Sequence, residues 1–135
     1  MDLKNEIQKF KGLRWFFLAT DIGFILYWAI TLVHAIPEEY LFKDYDNPIL
    51  SAWNWSFLPL DLFISFTGLT SLYFSKTGKK EWRALALVSL ALTFASGLQA
   101  LAFWTIRSDY NWSWWIANGY LLIYPLFYFP KLIRH

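Results

Sequence analysis

From Trp15 the chain stays apolar as far as Ile36, and three further apolar stretches follow: Trp53 to Phe74, Ala84 to Ile106 and Trp112 to Phe129. A helix needs about 20 residues to cross the hydrocarbon core of a bilayer. The pattern therefore predicts an all-α, polytopic membrane protein. It is read as a bundle of four transmembrane helices forming a single domain over residues 1–135. The fourth stretch is the shortest, and Pro130 and Lys131 mark its expected end. The first is too long for the h-region of a cleaved signal peptide, about 7–15 residues, and no small-residue cleavage site follows it. It is read as a permanent helix. Residues 1–13 read either as an amphipathic lead-in on the inner surface or as a solvated arm. The connection from Pro37 to Ala52 is the longest, and its two prolines and several aromatics predict an ordered cap.

The polar positions between these stretches set the threading. Lys4, Lys9, Lys11 and Arg14 precede the first helix, while Lys76, Lys79, Lys80 and Arg83 join the second to the third. Lys131 and Arg134 follow the fourth. The other two connections hold only Lys43 and Arg107. Basic loops stay on the cytoplasmic side, so both termini are predicted to be cytoplasmic. Trp53, Trp55, Trp104, Tyr110, Trp112, Trp114 and Trp115 gather at the opposite ends of the helices, as an interfacial aromatic belt does.

Composition narrows the function classes. Hydrophobic residues make up 57% of the chain and aromatics 22%, against about 45–50% apolar in a soluble domain. The formal charge is +2, with no basic stripe to follow phosphates, so no nucleic-acid partner is expected. Cysteine is absent and there are two histidines, so no metal site and no disulfide is expected. No cofactor motif appears. There is no phosphate loop, no G-x-S-x-G and no H-E-x-x-H.

What remains is a set of polar groups inside apolar runs. A charge at mid-membrane costs about 2.5–3.5 kcal/mol on insertion scales, and such a group faces the bundle interior with a partner. Asp61 lies mid-way along the second run, with Asn54, Ser65 and Gly68 on its face at helical spacing. Pro59 withholds a backbone donor from the carbonyl of residue 55, which predicts a kink beside the acid. Asp61 reads as a ligand or proton site, or as a structural acceptor tying helices together. Gln99 and Ser96 of the third run and Asn118 of the fourth lie at a comparable depth; Thr31 and His34 lie somewhat further out. Together they outline a polar pocket in the outer half, with Trp28, Tyr27, Phe103 and Trp115 as candidate aromatic walls. Taken singly, Gln99 and Asn118 read as interhelical glue. Asp21 is a second buried acid, nearer the basic side. Its expected role is structural, snorkelling inward or accepting from Tyr73 or Tyr128.

HAIPEEY at 34–40, DNPILSAWNWSF at 46–57, and Asp61 in the helix that follows resemble the EXPERA group. That group holds four-helix membrane proteins such as the emopamil-binding sterol isomerase and the sigma-2 receptor. GYLLIYP at 119–125 resembles its fourth helix. The resemblance implies that Asp61 matches the acid of helix two and that Asn47 takes the place of the loop aspartate before proline. The acid expected late in helix one has no match; Thr31 and His34 stand near its place. Over its full length the chain is similar to the small bacterial YvaD-like proteins, which implies the bacterial plasma membrane as its location.

Four readings compete. The first is a binding protein holding a small lipophilic molecule in an intramembrane pocket around Asp61, with lipid as its other partner. The second is a small proton-coupled exporter, which would work as a homodimer. The third is an isomerase-like enzyme using Asp61 and His34. The fourth is a structural or stress-related protein without a ligand. Aromatic walls with few convergent polar groups favour the first, and the missing catalytic motifs weigh against an enzyme.

Overall fold

In the computed structural model, residues 11–33, 46–110 and 112–133 are described. They form α1 (Lys11–Leu32), α2 (Pro48–Trp55), α3 (Phe57–Lys76), α4 (Trp82–Ile106) and α5 (Trp112–Ile133). No strand occurs among the described residues. α2 and α3 are almost one helix, and three segments are long and apolar enough to cross a membrane: Gly12–Leu32, Pro48–Lys76 and Trp82–Ile106.

Local chemistry sets where the helices begin and end. Asn47 caps α2 from an extended conformation, its Oδ1 accepting from Ile49 N at 3.0 Å and Leu50 N at 3.3 Å. Pro48 sits at the first helical position, where no donor is needed. The break at Ser56 falls where Pro59 withholds its N–H from the preceding turn. α3 ends in a Schellman turn: Gly78 adopts φ 79°, Gly78 N donates to Ser75 O, and Lys79 N donates to Phe74 O at 2.9 Å. The Lys79 ammonium then lies 4.8 Å from the Phe74 ring centre. α4 closes the same way, with Ser108 at φ 58° and Asp109 N donating to Trp104 O at 2.9 Å. α5 runs through Pro125 and Pro130 to Ile133. Its last carbonyls are capped from another helix, because Arg83 donates to Lys131 O at 3.2 Å and to Leu132 O at 2.9 Å.

One end of the bundle is basic and tightly packed. Leu13, Phe17, Trp82, Ala86, Leu90, Tyr124 and Leu132 share a core there, and Leu121 closes it from above. The start of α1, the α3–α4 turn and the end of α5 therefore lie at the same end. Arg14, Lys79, Arg83 and Lys131 each rest over an aromatic ring at this level. Higher up, small residues let the helices approach. Ser71 Oγ donates to Trp82 O at 2.8 Å and Ser89 Oγ to Ile64 O at 3.1 Å, tying α3 to α4. Gly97 lets α4 meet the α5 backbone; a Cβ there would lie 2.6 Å from Asn118 O and 2.9 Å from Leu122 N. α1 meets α5 through long side chains instead. Phe16 stacks on Tyr124 at 4.9 Å, and the hydroxyls of Thr20 and Tyr120 share a hydrogen bond of 2.9 Å.

The outward faces are apolar. Phe63, Phe66, Ile123 and Phe127 are all exposed, as are Ile22, Leu26 and Leu98 on the other helices. Such a surface suits acyl chains, and the helices satisfy their backbone groups internally, as a bilayer requires.

Candidate functional site

Above the basic core the helices part around a cavity of about 240 Å³. α1 contributes Phe24, Tyr27 and Trp28; α3 contributes Phe57 and Asp61. α4 turns Ser96, Ala100 and Trp104 toward it, and α5 adds Trp114, Ala117, Asn118 and Leu121. The short helix α2 covers the end away from the basic core with Trp53 and Asn54. The Trp53 ring stacks on Phe103 at 4.0 Å, meets Trp104 edge-on at 5.8 Å and touches Phe57 at 4.7 Å. These contacts pin α2 to α3 and α4, so an aromatic plug stands at that end.

Asp61 is the acid in the wall, only 5% exposed. Its Oδ2 accepts from Trp28 Nε1 at 2.9 Å, while Oδ1 has no hydrogen-bond partner among protein groups. Trp28 is itself buried and held by its neighbours, with Tyr27 at 5.0 Å and Trp55 at 5.4 Å between ring centres. The Tyr27 hydroxyl meets the side chain of Asn54. No Lys, Arg or His occurs in residues 15–33, 57–75, 84–106 or 112–130, so the wall around Asp61 carries no cation from any spanning segment. A buried acid with one donor and one unanswered oxygen is a place where a ligand's donor is favoured.

Asp61, Trp28 and Asn118 of the predicted pocket come together at the cavity. Asn118 directs its amide to Trp114 O of its own helix at 2.9 Å, which leaves its side-chain oxygen for other partners. Thr31 is buried but does not line the cavity; its hydroxyl donates to Tyr27 O at 2.8 Å. Gln99 lies on the exposed face of α4. It precedes Ala100, which faces the cavity, and one helical step turns a side chain by about 100°. Counting depth alone therefore does not bring Gln99 to the cavity. His34 lies outside the described residues. Among the candidate walls Tyr27 and Trp28 line the cavity, whereas Phe103 backs Trp53 and Trp115 donates to Asp109 O at 3.2 Å. Phe24 and Phe57 are not among the sequence candidates, and Trp53, Trp104 and Trp114 read from sequence as belt residues rather than as cavity walls. The signal that could find Phe57 is its spacing four residues before Asp61, on one helix face.

Asp21 reaches neither Tyr73 nor the inner surface. Tyr73 is exposed on α3, and the Tyr128 hydroxyl lies against Gly12. The Asp21 carboxyl is fully buried in a notch made by Gly68, where a side chain at residue 68 would collide with its Oδ2.

The chain is 56% identical over 119 residues to the protein YvaD of Bacillus subtilis (strain 168), described as uncharacterized, covering 88% of this chain and 90% of that protein. No solved structure gives a significant match. Residues 13–135 match the family of unknown function DUF5360. With that match running from the start of α1 past the end of α5, the chain belongs to the DUF5360 family.

Proposed function

We propose that this chain is a four-span protein of the bacterial plasma membrane that binds a small lipophilic molecule in the cavity beside Asp61. The observation that carries the reading is the cavity itself: about 240 Å³, walled by aromatic rings, with one acid whose second oxygen lacks a partner. Well-formed ligand pockets run to about 300–1,000 Å³, so the space suits a small molecule or one end of a longer one. The Trp28 indole holds the Asp61 carboxyl in place, which leaves Oδ1 for a donor on the ligand. Asn118 and Ser96 supply further polar contacts on the facing helices. The likeness of residues 46–61 to the EXPERA group supports the same assignment, with Asp61 as the acid of the second spanning helix.

α5 is the fourth span in this reading. At 22 residues it is long enough, and it packs along α4 at Gly97. The basic end faces the cytoplasm, since Lys76, Lys79, Lys80, Arg83 and Lys131 gather at the α3–α4 turn and the end of α5. Both termini then lie inside.

The test is ligand-dependent stabilisation in detergent, using a panel of sterols, isoprenoids and hydrophobic amines. At least one class is expected to raise the unfolding temperature of the native chain, and Asp61→Asn is expected to remain folded and lose that shift. An equal shift in Asp61→Asn would reject Asp61 as the ligand's partner.

A further inference from the structure

Asp21 lies two helical turns from Trp28 on α1, and Gly68 lies two turns from Asp61 on α3. The two helices are in contact at both levels: Trp28 bonds Asp61 at one, and Asp21 abuts Gly68 at the other. Seven residues at 1.5 Å each separate the levels by about 10 Å along the axis. Each helix thus lends one acid to a single seam. The upper acid borders the cavity. The lower one does not, because it is fully buried and absent from the cavity wall.

Neither oxygen of the Asp21 carboxyl has a hydrogen-bond partner. The serine and threonine hydroxyl hydrogens around it are directed elsewhere, and the buried Tyr124 hydroxyl makes no hydrogen bond to it. Ser65 donates to the backbone O of Asp21, Ser89 to Ile64 O and Thr93 to Ser89 O. The groups facing Asp21 are Ser65 and Gly68 from α3, Ser89 from α4 and Tyr124 from α5. None is a cation, and none of the spanning segments holds one. A carboxylate accepts only, so here it would stand uncompensated in a low-dielectric seam. A carboxylic acid is a donor, and an acceptor is at hand. Ser89 Oγ lies 3.0 Å from the point where a Gly68 Cβ would sit, and Asp21 Oδ2 lies closer still to that same point, so the two oxygens border one notch. Its own hydrogen goes to Ile64 O, which leaves its lone pairs free. The notch is filled by the carboxyl, so a metal ion with its coordination shell has no room.

We propose that Asp21 is a second ligand site of this chain and that its ligand is a proton, held in the notch between α1, α3 and α4 beside Ser89. The site stands apart from the lipophilic-ligand reading and needs no occupant in the cavity. Loss of the proton would leave an unpaired charge in the seam and drive α1 from α3.

Infrared spectroscopy of the full chain in lipid vesicles at neutral pH tests this, with aspartate labelled by ¹³C at the side-chain carboxyl. A protonated-acid carbonyl band that shifts with the label is expected, retained in Asp61→Asn and lost in Asp21→Asn. A band untouched by Asp21→Asn in a folded sample overturns the proposal. Should Asp21→Asn fail to fold, labelled Asp61→Asn decides alone: a labelled acid band supports the site, and carboxylate bands only overturn it. The ligand-shift experiment above can fail without moving either result.

Discussion

Substituting Gly68 by alanine probes the seam between α1, α3 and α4 directly. The new methyl carbon would collide with Asp21 Oδ2 and lie 2.9 Å from its Cγ and 3.0 Å from Ser89 Oγ. Carbon atoms in contact prefer about 3.5–4.0 Å, so the carboxyl must swing away. It has nowhere open to go, being fully buried with Ser65 and Ser89 also buried beside it. Overpacking of this kind costs about 1–3 kcal/mol. In an Asp21→Ala background the obstacle is gone, and the added methyl fills part of the space left behind. There Gly68→Ala is expected to be neutral, or stabilising by up to about 1 kcal/mol through helix propensity. The double-mutant cycle is therefore predicted to show a coupling of about 1–3 kcal/mol between the two positions. Unfolding by SDS in mixed micelles, followed by far-ultraviolet circular dichroism, measures it. An equal cost of Gly68→Ala in both backgrounds would mean that Asp21 does not occupy the notch.

Trp28→Phe keeps one aromatic ring but removes the pyrrole half of the indole and with it the donor to Asp61, and is expected to cost at least about 1–3 kcal/mol in the same unfolding assay; no loss would mean that the bond of 2.9 Å contributes nothing. Gly97→Ala should destabilise by a comparable 1–3 kcal/mol, since its Cβ would meet α5 backbone at 2.6 Å, whereas Gly119→Ala, with nothing within 4 Å, should be neutral or better. Equal effects of the two would contradict the α4–α5 crossing. Ser108→Gly relieves a left-handed residue at φ 58° and should raise stability by up to about 1 kcal/mol; a loss would contradict that conformation. If the native chain carries a proton at Asp21 that the unfolded chain gives up, stability falls as pH rises from about 3.9, the free-aspartate value, and levels off once Asp21 ionises in the folded chain. Asp21→Asn should flatten that slope, and an unchanged slope would count against the site.

Much of the bundle is legible in its hydrophobic runs because a spanning helix announces itself by length alone. The capped start of α2 at Asn47–Pro48 and the break before Pro59 are also written locally, one as a side-chain acceptor and the other as a missing donor. Asp61 was legible because an acid in an apolar run has few tolerable positions. What surrounds it was not. Depth along the axis can be counted from sequence, but rotation about it depends on which neighbour a helix meets, and that error sent Gln99 to the outside. The aromatic plug was hidden for a related reason. Trp53 and Trp104 read as belt residues at the helix ends, and only the fold of α2 over α3 and α4 turns them inward. The notch holding Asp21 depends on Gly68 facing it from another helix, a pairing that no spacing within one helix contains.

The proposed ligand site requires Asp61 to face a hollow lined by protein, and the decisive measurement is a structure of the chain in lipid nanodiscs. Non-protein density is expected within hydrogen-bond distance of Asp61 Oδ1, enclosed by Trp28, Phe57, Trp104 and Asn118. Side chains closed tightly around that carboxyl, or the carboxyl turned outward to acyl chains, would contradict it.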